Sequence, residues 1–132
     1  MKICSLCGVC CRNTEMELSM GDISEIEKQN PFNWTRDEFC EIQNEYYTLK
    51  NSDGHCIFLN PNKNLCNIYD YRPQGCRFYP MLYDPSNNQC LLDDECPHRH
   101  KFYHYKPEYQ NTCKKLRKWY NSELLPSQIR HV

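Results

Sequence analysis

Cys4, Cys7, Cys10 and Cys11 form a C-x2-C-x2-C-C run near the start of a 132-residue chain that holds eleven cysteines. A two-residue gap lets one tight turn or one helical turn aim two sulfurs at the same ion, a spacing that zinc and iron–sulfur sites share. Gly8 lies between two of these cysteines, where backbone must fold closely around a metal. Cys10 and Cys11 are harder to place around one ion. Neighbouring side chains diverge to opposite faces of an extended backbone, and in a helix they lie roughly 100° apart. Adjacent cysteines therefore point to two metal positions, or to a cluster larger than one ion. Further donors come from Cys56, Cys66, Cys76 and Cys96. The first three recur every ten residues and flank turns, where coordination can replace the packing that turns lack. The eight cysteines suffice for two tetrathiolate sites, with their partners unassigned.

Other side chains could support such sites. Arg72 and Arg77 flank the Cys76 turn and could offset a tetrathiolate on Zn²⁺, which carries a net charge of about −2. The competing reading is a pair of surface salt bridges to the acidic stretch 15–45. His98 and His100 follow Cys96, and His100 and His104 are spaced to share a helical face; the bland reading is a solvated basic segment. Cys40 is read as core or a spare thiol, and Cys90 and Cys113 as packed residues, Cys113 on the apolar face of a helix.

These residues must be positioned by short pieces of structure. Ser19 with Asp22, then Thr35 with Glu38, are capping signatures that predict helices over 20–29 and 36–42, the second carrying Phe39 and Ile42. Residues 45–50 read as a strand that turns at Asn51–Gly54 and returns over 55–59. A turn at 61–64 leads to Cys66 and a short helical segment near 67–70, and 71–80 suits a tight turn or short helix. Residues 81–84 and 89–92 flank a turn as a second hairpin. Tyr109, Cys113, Leu116 and Tyr120 recur at helical spacing behind Pro107, predicting a last helix over 108–121. The expected architecture is a small single α+β domain over 1–125, organised around cysteine-ligated metal sites, with a loose tail at 126–132.

Composition agrees with that economy. Leu, Ile, Val and Phe number 11, 7, 2 and 5, alanine is absent, and the formal net charge is −1. A thin aliphatic core with near-zero charge describes a cross-linked folded domain better than a disordered chain. No apolar run reaches the length of a membrane span, and the start is no signal peptide, so a cytoplasmic location is expected. In a reducing compartment clustered cysteines are more often ligands than disulfides, and an odd number cannot pair completely.

The blocks Cys4-Ser-Leu-Cys-Gly-Val-Cys-Cys11, Cys56-Ile-Phe-Leu59, Cys66-Asn-Ile-Tyr-Asp-Tyr-Arg-Pro-Gln-Gly-Cys-Arg-Phe-Tyr-Pro80 and Cys96-Pro97 resemble, in this order over about residues 4–97, the YkgJ-type cysteine-cluster proteins. The resemblance implies chelation of zinc or iron. A related signature occurs in flagellin lysine N-methylases, much larger enzymes that the resemblance associates with an iron–sulfur cluster. The function expected is thus a metal-binding module, with metal ions as partners and room for a protein partner. One alternative is an iron–sulfur enzyme or electron carrier linked to side-chain modification. Another is nucleic-acid binding through the basic 99–118 stretch and its interleaved aromatics, a weaker reading than an amphipathic helix docked within the chain. No nucleophile with its base, phosphate loop or dinucleotide fingerprint is present, which weighs against catalysis.

Overall fold

A computed structural model describes residues 14–129. Over these the chain is α+β, with short helices and small antiparallel sheets. Strands β1 (Glu17–Leu18), β2 (Cys40–Gln43) and β3 (Tyr46–Leu49) form one sheet in the order β1-β3-β2. Helix α1 (Met20–Gln29) begins at a capping box in which the Asp22 backbone N–H donates to Ser19 Oγ and the Ser19 N–H donates to the Asp22 carboxylate. Its apolar residues Ile23 and Ile26 are fully buried. Asn30 ends the helix, donating to Ile26 O and Trp34 O and accepting the Trp34 N–H, so one side chain shapes the whole 30–34 turn.

Helix α2 (Arg36–Phe39) is shorter than the capping signature suggests. Cys40 is already extended and pairs with Leu49, which turns the expected helical residues 40–42 into a strand and leaves Ile42 55 % exposed. Cross-strand pairing overrides the local helical spacing of Phe39 and Ile42 here. The β2–β3 connection is also a correction. Asn44 and Glu45 both take positive φ, 51° and 69°, the two-residue turn that matches strand twist. Strand β3 therefore pairs with β1 and β2, and the Asn51–Gly54 turn joins only β4 (Asn51–Ser52) to β5 (His55–Cys56).

Strands β6 (Leu59–Asn60) and β7 (Leu65–Cys66) make another minimal hairpin, followed by a single 3-10 turn at Tyr69–Tyr71 and by helix α3 (Gln74–Phe78). Strands β8 (Met81–Asp84) and β9 (Gln89–Leu92) form the second expected hairpin. Helix α4 (Lys106–Trp119) starts with Pro107 in its first turn and widens after Trp119 into a π-type turn, where Leu125 N–H donates five residues back to Tyr120 O.

Two buried clusters result. Leu18, Ile23, Ile26, Phe39, Phe58 and Ile68 fill the first, and Tyr46, Met81, Leu116, Trp119 and Leu124 the second. Cys90 on β9 and Cys113 on α4, read from the sequence as packed residues, are joined as a disulfide with Cα atoms 5.9 Å apart. The chain end is held as far as it is described, against the looseness expected from 126 onward. Met20 N–H donates to Ser127 Oγ, and Ile129 N–H donates to Glu45 O. No helix among the described residues is long and apolar enough to cross a membrane.

Candidate metal centre

Three signature cysteines line one hollow. Cys56 ends β5, Cys66 ends β7 and Cys76 sits within α3, and all three line a cavity of about 40 Å³ together with Thr14, Met16, Arg72 and Pro73. Cys56 is buried and Cys66 and Cys76 are half-buried. The minimal hairpins explain the convergence. Asn64, with φ 55°, closes the loop that sets Cys66 opposite Leu59, and Asn67 N–H donates to Phe58 O to fold the following segment back on itself. Nearby, burial foremost and then the neighbouring Cys66 and Asp70 raise the Tyr71 phenol above its usual range.

Two polar residues fix this arrangement over long sequence distances. Asn51 accepts the Thr14 N–H at 2.9 Å and donates to Thr14 O at 2.8 Å. It thereby ties the chain just beyond the Cys4–Cys11 run to the strand leading into Cys56. Asp22 uses its second carboxylate oxygen to accept Gln74 N–H at 3.0 Å, docking the start of α3 on α1 two residues before Cys76. The sequence marks both only as a turn residue and a helix cap. Their side chains bridge 37 and 52 residues, beyond the reach of any local signal. Gly75 lets α3 pack closely on Met16: a Cβ there would run into Met16 Sδ, and that flexible side chain would have to shift.

The remaining candidates divide. Arg72 borders the cavity, donates from Nη1 to Tyr69 O at 2.8 Å and lies 4.1 Å over the Tyr69 ring. Arg77 instead braces the same turn, donating to Arg72 O and Asp70 O, and faces a wider polar cleft of about 450 Å³ that Arg72 shares. Neither forms the salt bridge to the acidic stretch; among the described residues the ion pair there is Arg36 with Glu27, at 3.7 Å. Cys96 is buried in a turn, its N–H donating to Asp93 O and its carbonyl accepting from Arg99, and it does not line the cavity. His98 is half-buried beside it. His100 and His104 are exposed, and a 3-10 turn followed by a bend replaces the helical face they were expected to share. Cys40 belongs to the first core, where burial pushes its thiol up to about 12.

Cys4, Cys7, Cys10 and Cys11 lie outside the described residues. Among the described residues no three His, Cys, Asp or Glu side chains form a group that could hold a metal ion. The three cavity cysteines are soft donors around an ion-sized space, and Thr14 on its rim leads directly back to the four cysteines upstream. Three thiols are the donor type that zinc and iron sites use, and among the described residues they do not by themselves complete a site.

Residues 3–124 match the model of a domain family named CxxCxxCC and described as "putative zinc- or iron-chelating domain". The uncharacterized protein MJ0661 of Methanocaldococcus jannaschii is 30% identical over 92 residues, covering 67% of this chain and 50% of that protein. The chain thus spans about half the length of that relative. No solved structure matches.

Proposed function

Because the chain belongs to the CxxCxxCC family of zinc- or iron-chelating domains, we propose that Cys4, Cys7, Cys10 and Cys11 join Cys56, Cys66, Cys76 and Cys96 in binding zinc or iron at two positions. The observation that supports this reading is that Cys56, Cys66 and Cys76 line one small cavity. Thiolate-bound zinc would supply a closed structural site, whereas an iron–sulfur cluster would add electron transfer. The chain's own residues do the holding. Asn51 holds Thr14 beside the cavity, Asp22 docks the start of α3 ahead of Cys76, and Arg72 borders the cavity with a guanidinium that would offset thiolate charge. His98 and Arg77 stand farther out, the one beside Cys96 and the other behind Arg72.

Anaerobic purification followed by elemental analysis and ultraviolet–visible spectroscopy tests the reading. The expected result is zinc or iron in stoichiometric amount, with absorbance near 400 nm if the metal is an iron–sulfur cluster. Cys56→Ser, Cys66→Ser and Cys76→Ser should each lower the content. A folded protein that retains neither metal, or retains it undiminished in all three variants, overturns the proposal.

A further inference from the structure

A second hollow, of about 260 Å³, lies against the first and has different chemistry. Met16 belongs to both, and Gly75, next to Cys76, also borders the second. Its wall combines three rings, Tyr83 from β8, Trp119 from the last turn of α4 and Tyr120 from the π-type turn, with Met81 and the aliphatic Leu82, Leu116 and Leu124. Widened turns of this kind recur at functional sites in helices. The Tyr83 and Tyr120 rings lie 5.1 Å apart at 54°. The buried indole N–H of Trp119 has no acceptor among the described residues, so that ring is placed by packing, 6.0 Å from Phe78.

One carboxylate opens into this apolar setting. Glu17 on β1 pairs with Thr48 and so shares a face of the sheet with Tyr46. It is half-buried and forms no ion pair among the described residues. Burial raises its pKa, the mark of a charge that has lost water and gained no cation in exchange. An aromatic wall attracts a cation through the negative faces of its rings, and a carboxylate attracts the same cation by charge. A neutral apolar guest would leave Glu17 uncompensated, and an anion would be repelled by it.

We propose that this groove binds an organic cation, an alkylammonium or quaternary ammonium head on a short apolar body, with Glu17 as counter-ion and Tyr83, Trp119 and Tyr120 as the aromatic wall. The site uses none of the signature cysteines.

Isothermal titration calorimetry on the full chain tests it with hexyltrimethylammonium and hexylammonium as probes, and with hexanol and hexanoate as neutral and anionic counterparts. Both cations should bind at least ~tenfold more tightly than hexanol, and hexanoate should not bind, as expected for one poorly solvated charge contact. Glu17→Gln should cost the cations about tenfold and leave hexanol unchanged. Tyr83→Leu should weaken the cations severalfold while Glu17 remains in place. Equal binding of hexanol and the cations, unchanged cation binding in Glu17→Gln, or no heat at millimolar probe overturns the proposal. Self-association of the free protein that is lost in Glu17→Gln would assign the groove to a second copy and overturn it too.

Discussion

The two buried clusters use cysteine in opposite ways. In the second, a disulfide from Cys90 to Cys113 joins a hairpin of two four-residue strands to a 14-residue helix, elements with their own periodicity and apolar faces. In the first, the cysteine-bearing stretch 51–78 consists of two-residue strands, one 3-10 turn and a five-residue helix. Strand pairs and helices that short have no stability of their own in water. Phe58, Leu59 and Ile68 anchor the stretch to the core, but the turns that carry Cys66 and Cys76 hang from that anchor by a few hydrogen bonds. A covalent link in one region trims the freedom of pieces that already fold. In the other, the metal binding proposed above would decide how much of the stretch stays ordered.

On the proposed reading, removing metal should therefore have the largest effect, and an uneven one. A structural zinc site contributes an apparent ~10–16 kcal/mol at neutral pH, against net stabilities of about 5–15 kcal/mol. Anaerobic chelation without reductant should strip hydrogen-exchange protection from amides over 51–78, while 81–92 and 106–119 keep theirs. Uniform loss across all of these segments would break the comparison, because it would make the two clusters one cooperative unit.

The disulfide should matter less and in the opposite place. Its partners are 23 residues apart in sequence, and closing a loop of that size is worth about 3 kcal/mol through the unfolded chain. Cys90→Ser with Cys113→Ser should lower the urea midpoint and loosen α4 against β8 and β9, with metal content unchanged. Metal loss in that variant would show that the second cluster supports the cysteine cavity.

What could be read from the sequence follows the same division. Helix α1 and the β8–β9 hairpin are announced by neighbours in sequence, Ser19 with Asp22 and the turn-forming run Asp84–Asn88, and both occupy the expected residues. The spacing of Cys56, Cys66 and Cys76 singled out residues that do share a cavity. The segment 40–45 was not readable, because its strand is imposed by pairing with Leu49 and its turn places Glu45, an ordinary side chain, at φ 69°. Nor could the Cys90–Cys113 bond be deduced, since connectivity is a property of the folded chain. Asn51 and Asp22 were visible in their local roles and invisible in the long-range bonds that organise the site.

The smallest effect is alkaline, and one buried group in each cluster serves to report it. Burial holds the Cys40 thiol in the first at about 12 instead of 9.0, and burial foremost holds the Tyr46 phenol in the second at about 12 instead of 10.0. For a group whose folded pKa lies above its unfolded value, the protonated form favours folding. Its contribution is complete below the unfolded pKa and is lost as pH rises through the folded one. The stability difference between the native protein and Cys40→Ala should therefore shrink from about pH 9 upward, and that between the native protein and Tyr46→Phe from about pH 10. Denaturant melts of the three proteins at steps between pH 8 and 11 measure this, with lysines and the other tyrosines cancelling in each difference. If the two clusters unfold separately once metal is removed, the Cys40 difference should vanish from the surviving transition while the Tyr46 difference persists. A Cys40 difference that persists there too would mean that the first cluster stands without its metal.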